Sequence, residues 1–435
     1  MLRKLFDVLL LFIMAATLWA VAAMAFQSAY NAHPDEKDHV SAGRYYMRYW
    51  DPPAVDDPRI ANAFSNYGLS YLSQMDVVYF FAGKFARLVT PFVGQDYLAL
   101  RLFNVALLAG LMLWAWRMPA RLRILFLPLC ISPQIWYIFS YFNGDAFPLA
   151  LSFASAALLA LIWTEPAKPQ CGRLVLLGVL LGLLAASKQN YYVFLVFFAC
   201  FWLTALRWAP KRALLLRQAG LVVLVAAVVF GARFGAHCWA ARHEGPQTQT
   251  RVAERMAAEA FKPSSQTDGT AYWGLRMRSQ GVTWVQMFTG EWKWHIFTFR
   301  SAFGKYGPMN IEPPLIFYSI IGRVVAVFAV VLFAGLLRRR TPAPLCGDGG
   351  AGLEAALLAV FLFLTVFQSF WHSWTADFQP QGRYLFPILA MTACALIRYP
   401  TVPARFRHAL WWSGLGLWGL SMWSFVAAGL ARIAR

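Results

Sequence analysis

The stretch "LFDVLLLFIMAATLWAVAAMAF", residues 5–26, is followed at once by "QSAYNAHPDEKDH", residues 27–39. The first run is apolar and long enough to cross a bilayer, which takes roughly 20 residues. It is too long for the apolar core of a signal peptide, and no small-residue cleavage site stands before the acidic segment. The second run concentrates three carboxylates and two imidazoles within His33–His39, in a chain that has only 20 acidic residues among 435. The pair predicts a membrane span with a functional loop at its mouth.

Composition extends this prediction to the whole chain. Hydrophobic residues make up 59% of the sequence, charged residues only 14%, and the mean hydropathy is +0.50. Soluble domains are far more polar. We predict an all-α, polytopic integral membrane protein in one transmembrane domain, residues 1–435, with about eleven spanning helices. The predicted spans are 5–27, 97–116, 122–140, 145–163, 173–187, 190–207, 217–239, 314–337, 352–371, 383–399 and 409–430.

The net charge of +19 does not indicate nucleic-acid binding. Most Lys and Arg residues lie in alternate short loops between apolar runs, and the positive-inside rule places such loops in the cytoplasm. The acidic loop then lies outside. An odd number of spans also puts Arg432 and Arg435 outside, against the charge rule.

Two long segments are predicted on the outer side, residues 28–95 and 240–313. Within the first, "YLSQMDVVYFFAGKFARLVT", residues 71–90, alternates apolar groups with Asp76, Lys84 and Arg87. Three charges fit a span poorly, so we expect a helix that lies in the membrane interface.

Polar side chains recur at the outer ends of the predicted spans. Charges at membrane depth cost roughly 2.5–3.5 kcal/mol each and usually line a functional cavity. Each alone could simply solvate a helix end or snorkel, but five segments on one predicted side favour a shared site. Beyond the acidic loop, the candidate residues for binding a substrate phosphate are Asn143, Asp145, Lys188, Gln189, Arg300, Lys305, Gln381, Arg383 and Tyr384.

Carboxylates facing cations suit one kind of membrane chemistry. A carboxylate can take a proton from an attacking hydroxyl. Basic side chains can hold a phosphate and stabilise it as it leaves. Sugar transfer from a polyprenyl-phosphate donor to a hydroxyl acceptor requires both.

The acidic loop "HPDEKDH", with its Asp-Glu pair directly after the first span, resembles that of the GT-C glycosyltransferases. These include the protein O-mannosyltransferases and the lipid A aminoarabinose transferase. A closer resemblance is to a bacterial family of polytopic membrane proteins, domain of unknown function 2142, itself GT-C-like. The ordered motifs that carry it are "HPDEKDH", "SPQIWYIFSYFNGDAFPLAL", "SKQNYY", "FRSAFGKYGP" and "FQPQGRYLFP". The resemblance implies a many-helix fold with its active site at the outer face.

Roles follow from that resemblance. Asp35 corresponds to the catalytic base and Glu36 to its partner, while Asp38 and His39 make supporting or acceptor contacts. His39 is also a candidate for binding the substrate or the donor phosphate. Because His33, Asp38 and His39 stand so close to the Asp-Glu pair, the catalytic base is either Asp35 or Asp38. Lys188 and Arg383 would clamp the donor phosphate, helped by Arg300 or Lys305. The sequence assigns no cofactor. A divalent metal held by His33, Glu36 and His39 is one interpretation of these residues, and a solvated loop is the other.

The sequence thus predicts an inverting glycosyltransferase of the bacterial inner membrane, with its site on the periplasmic or extracellular face. Its expected partners are a polyprenyl-phosphate sugar, membrane lipids and a cell-envelope acceptor. Three alternatives remain: a lipid-glycan flippase, a non-catalytic assembly subunit, and an O-antigen-ligase-type transferase with a diphosphate donor. Transporters usually show repeat halves and charges at the midplane, and neither pattern is evident in this sequence.

Overall fold

The computed structural model describes residues 2–164, 170–208, 212–266, 272–338 and 351–435. Within these ranges the fold is all-α. Several predicted cytoplasmic positions, including Lys168 and Lys211, lie outside the described residues. The helices are α1 Leu2–Gln27, α2 Glu36–Arg48, α3 Val78–Val93, α4 Asp96–Arg117, α5 Pro133–Ser140, α6 Ala146–Thr164, α7 Cys171–Ala185, α8 Tyr192–Trp208, α9 Arg212–Ala240, α10 Thr248–Met256, α11 Trp284–Thr289, α12 Trp294–Gly304, α13 Leu315–Leu337, α14 Ala351–Thr375, α15 Pro387–Leu396 and α16 Ala404–Trp423.

Seven helices in the described part are long and apolar enough to cross a membrane. An eighth span arises if the 3₁₀ segment Ala120–Cys130 and α5 are counted together, although they are bent by 82°. Shorter apolar helices over Cys171–Ala185, Gln189–Thr204 and Gly382–Leu396 occupy the remaining predicted positions. The protein is therefore polytopic, and the count of eleven spans stays a prediction.

The two ends of the chain lie at opposite ends of the bundle. The helix α1 begins the chain, and its last turn leads into the acidic loop. The backbone N–H of Ala29, just beyond α1, donates to the carbonyl of Ala434 at 2.8 Å. The last described residues therefore lie at the same end of the bundle as the acidic loop.

Burial separates the central helices from those that face lipid. In the most apolar window of α6, 94% of residues are buried, against 11% in α9. The outer helix α9 packs on α7, where Gly178 and Gly182 let the two backbones approach closely. A helix that is apolar all round and exposed in this way is one that contacts lipid.

The predicted interfacial segment forms α3, which is amphipathic. It packs on α2 and α4 through Val78, Tyr79 and Ala82, while Leu88 and Phe92 are exposed. Thus α2 and α3 hold the acidic loop against the outer ends of the spans.

Candidate active site

The acidic loop is fixed by a buried ion pair between Glu36 and Arg101. The Arg101 Nε and Nη2 atoms donate to the two carboxylate oxygens of Glu36 at 2.6 and 2.8 Å, and both side chains are fully buried. The remaining Arg101 donor, Nη1, binds the carbonyls of Ala25 and Ser28, and Nη2 also reaches Ala29. Such a bidentate pair fixes the geometry of both partners. The end of α1 and the start of α2 are thereby tied to α4.

His33 and His39 are also buried, each against tyrosines. The Nδ1 atom of His33 is hydrogen-bonded to Tyr137 Oη at 2.9 Å, and its Nε2 atom is hydrogen-bonded to Ser28 Oγ at 2.8 Å. His39 Nδ1 lies 2.7 Å from Tyr79 Oη, and its ring stacks on Tyr71. Burial holds the pKa of both imidazoles well below the usual range, so the rings are neutral at pH 7.

Asp35 is the carboxylate that the loop leaves accessible, with its side chain 51% exposed. Its backbone is left-handed, with φ 55°, and its carbonyl accepts the N–H groups of Asp38 and His39 to begin α2. A non-glycine residue in this conformation is uncommon, although Asp tolerates it better than most. The neighbouring Asp38 is partly buried, and burial together with the charge of Asp35 raises the pKa of its carboxyl.

Arg383 lies between two carboxylates. Its Nη2 atom is 3.8 Å from Asp35 Oδ2, and its Nη1 atom is 3.5 Å from Asp145 Oδ2. The other oxygen of Asp145 accepts from Lys188 Nζ at 2.7 Å. We call this row of alternating charge, Asp35, Arg383, Asp145 and Lys188, the charge line. It joins four chain segments that are far apart in sequence.

The cations keep free donors despite these contacts. Within the described structure, the buried Nε of Arg383 has no hydrogen-bond partner. The Lys188 side chain is 22% exposed and spends one donor on Asp145. A buried N–H without a partner is costly, so a ligand oxygen at this point would be stabilised.

Lys188 opens into a cavity of about 830 Å³. Asp76 lines the same cavity, and burial raises the pKa of its carboxyl to about 7. The volume falls in the range of small-molecule sites. The other lining side chains come mainly from the α7–α8 connection, α9 and α14, and they include Gln189, Asn190, Tyr192, Phe234, His237, Gln368, Ser369, Trp371, His372 and Tyr384.

The profile of the family described as "Predicted membrane protein (DUF2142)" matches residues 24–392. The chain belongs to the DUF2142 family. No curated protein sequence matches it significantly.

Two solved structures resemble this DUF2142 protein. One is ArnT from Cupriavidus metallidurans bound to undecaprenyl phosphate, with 13% identity and a TM-score of 0.47 over 92% of this chain. The other is the apo state of the same protein, with 14% identity and a TM-score of 0.37. The DUF2142 chain spans 60% of the length of the first ArnT chain and 78% of the second.

Several roles expected from the sequence do not fit the DUF2142 structure. Glu36 has both oxygens bound by Arg101, so it holds the loop and is not free to assist a base. His39 is 1% exposed and cannot reach a donor phosphate. Asn143 is fully buried, and its amide binds the carbonyls of Ile138 and Tyr141. Asp145 is itself negative and positions the two cations instead of binding phosphate.

The metal alternative also fails on geometry. His33, Glu36 and His39 each have separate protein partners, as described above. Among the described residues, no group of three or more His, Cys, Asp or Glu side chains is arranged to hold a metal ion.

Of the remaining candidates, three lie near Lys188 or Arg383 and two have partners elsewhere. Gln189 and Tyr384 line the large cavity beside Lys188. Gln381 precedes the 3₁₀ turn Gly382–Leu385 that carries Arg383. Lys305 instead pairs with Glu312 at 2.7 Å, and Arg300 lies over the ring of Tyr318. Lys305 thus contacts the α12–α13 connection, and Arg300 contacts α13.

Gly382 is explained by close packing against α12. A Cβ at this position would lie 2.4 Å from the Cα and N of Ala302, and the Gly382 N–H donates to Ser301 Oγ. The glycine therefore lets the turn pack on α12, and an approach to an anion is not needed to explain it.

Two residues were missed by sequence reasoning. Arg101 lies inside a predicted span, and an arginine at membrane depth was a usable signal for a buried partner. Asp76 was counted only as a charge on an interfacial helix. Nothing in the local sequence shows that it precedes α3 and faces a cavity.

Proposed function

We propose that this protein is a membrane glycosyltransferase that moves a sugar from a polyprenyl-phosphate donor to a cell-envelope acceptor. The observation that carries the proposal is the placement of Arg383 between the accessible carboxylate of Asp35 and the buried Asp145, with Lys188 next in line. The proposed base and the two cations that would hold the phosphate are thus close enough for one donor substrate to contact both. The ordered motifs of the sequence support the same chemistry.

The reaction follows from these positions. The acceptor hydroxyl attacks the anomeric carbon as Asp35 takes its proton, and the bond from that carbon to the phosphate oxygen breaks. The electron pair leaves with the phosphate, giving polyprenyl phosphate and inversion at the sugar. The added charge on the leaving oxygen is met by Arg383 and Lys188.

Asp145 keeps the clamp in place before the donor arrives. Two cations close together repel each other, and a buried carboxylate between them offsets that repulsion. It also fixes the direction of both side chains, since each donates to or approaches a different oxygen of Asp145. The phosphate then binds the donors that Asp145 leaves free, above all those of Lys188, whose side chain is 22% exposed.

The test is glycan transfer by purified, reconstituted protein supplied with synthetic polyprenyl-phosphate sugars. Arg383→Lys keeps the charge but loses the planar fork, so donor use should fall, and Arg383→Ala should lower it further. Arg300→Lys is the matched control, because it makes the same exchange at an arginine that lies against Tyr318 and outside the charge line.

Equal turnover for wild type and Arg383→Lys would mean that Arg383 only extends its charge to the membrane interface and does not bind the donor phosphate. If wild type releases no polyprenyl phosphate from any sugar donor but moves intact lipid across the bilayer, the protein is a flippase. Release of a diphosphate carrier would instead place it with the O-antigen-ligase-type enzymes.

A further inference from the structure

A second cavity, separate from the candidate active site, lies at the opposite end of the bundle, where α1 begins. It has a volume of about 250 Å³. The 22 residues from Phe6 to Gln27 separate it from the acidic loop, a length of roughly 30 Å along a helix. Its lining includes Phe6, Asp7, Arg121, Arg123, Arg407 and Trp411.

The lining carries more positive than negative charge. Its one carboxylate, Asp7, is paired with Arg123. Arg407 donates from Nη1 to the carbonyl of Pro400. Arg121 is exposed, with no hydrogen bond or ion pair to any described residue. Two guanidinium groups therefore face the cavity without a carboxylate partner, a setting that suits a phosphate.

The floor of the cavity is apolar. The ring of Phe6 stacks on Trp411 with centroids 5.3 Å apart, and Ile124 is buried beside them. Next to the opening, Val8, Phe12 and Trp412 are 59–65% exposed on the lipid-facing surfaces of α1 and α16. A ligand that fits this site has a polar end inside the cavity and a hydrocarbon part outside it.

We propose that this cavity binds the phosphate headgroup of an anionic phospholipid, whose acyl chains lie along α1 and α16. The volume is below that of pockets that enclose whole drug-sized ligands, so only the headgroup would enter. Basic pockets between spanning helices are suited to such headgroups. A soluble phosphate would use the arginines but would gain nothing from the apolar surfaces beside them.

The experiment is native mass spectrometry of the delipidated full-length protein, titrated with phosphatidylglycerol or phosphatidylcholine. Wild type should bind phosphatidylglycerol at lower lipid concentrations than phosphatidylcholine. Arg121→Gln and Arg407→Gln should each weaken that binding about fivefold, since one basic residue near an anionic lipid contributes about 1 kcal/mol. Arg405→Gln is the control, because Arg405 lies two residues from Arg407 but does not line this cavity.

Two results would overturn the proposal. One is equal weakening by Arg405→Gln, which would mean that the whole face attracts anionic lipid without a site. The other is displacement of phosphatidylglycerol by inorganic phosphate at an equal concentration, which would make the cavity a site for a free anion. The experiment needs no sugar donor, so its outcome is independent of the proposed transferase activity.

Discussion

At the scale of single residues, the acidic loop shows how neighbouring carboxylates acquire different roles. Asp35, Glu36 and Asp38 are almost adjacent in sequence, yet one is exposed, one is fully buried and one is partly buried. The difference comes from Arg101, which reaches Glu36 from α4. Burial by a distant partner, and not residue type, decides which of the three carboxylates remains accessible.

Asp35→Asn keeps the size of the side chain but removes the carboxylate that we propose as the base. We expect transfer to fall by about 100-fold or more while the donor lipid still binds. The measurements are sugar transfer and donor binding in reconstituted protein. Asp38→Asn is the matched control. Loss of transfer in Asp38→Asn, with activity kept in Asp35→Asn, would assign the base to Asp38.

Glu36→Gln should affect stability more than chemistry. It leaves Arg101 buried without its counter-charge, which typically costs about 3–5 kcal/mol. We expect a clear drop in melting temperature in detergent, and a similar drop for Arg101→Gln. The double variant should lose less than the two single losses combined, because the two residues act as a pair. Additive losses would show that the pair is not coupled.

At the scale of elements, the turn Gly382–Leu385 places Arg383 by packing on α12. Gly382→Ala puts a methyl group 2.4 Å from the backbone of Ala302, so the turn must move. We expect a loss of about 1–3 kcal/mol in stability and reduced transfer. Ala302→Gly should not rescue it, because the clash includes backbone atoms.

Gly419→Ala provides the control for that substitution. Gly419 lies in α16, and a Cβ added there would have no neighbouring atom within 4 Å, so alanine should be neutral or slightly stabilising. Equal melting temperatures for Gly382→Ala and wild type would remove the packing explanation for this glycine.

The sequence predicts part of the arrangement of charged residues in the candidate site. Alternation of apolar runs and basic loops predicts that the acidic loop and the segments holding Lys188 and Arg383 share a side, and in the structure Asp35 and Arg383 lie 3.8 Å apart. It could not predict that Asp145 stands between the two cations. That contact depends on how α6 and α15 pack, which the pattern of hydropathy does not encode.

At the scale of the whole molecule, buried histidines make stability depend on pH. The folded-state pKa values of His33 and His39 lie below the ordinary value of about 6.5, so below that pH the unfolded chain binds more protons. Their contribution is complete above about pH 6.5 and is lost as the pH falls. Asp76 acts in the opposite sense, because the pKa of its carboxyl is raised.

A comparison of variants isolates the histidines. We expect the melting temperature of wild type to fall more between about pH 7.5 and about pH 5.5 than that of His39→Gln, which has no proton to gain at this site. His243→Gln, at an exposed position, should behave as wild type does. Identical pH dependence in wild type and His39→Gln would show that the ring is not kept neutral by folding.

The hydrogen bond from Ala29 to Ala434 has a practical consequence for handling the protein. It fixes Ala434 next to the residues whose carbonyls bind Arg101, at the mouth of the acidic loop. A purification tag or fluorescent reporter fused after Arg435 would emerge beside the candidate active site and crowd an incoming acceptor. The same tag fused ahead of α1 would emerge at the far end of the bundle and leave that entrance open.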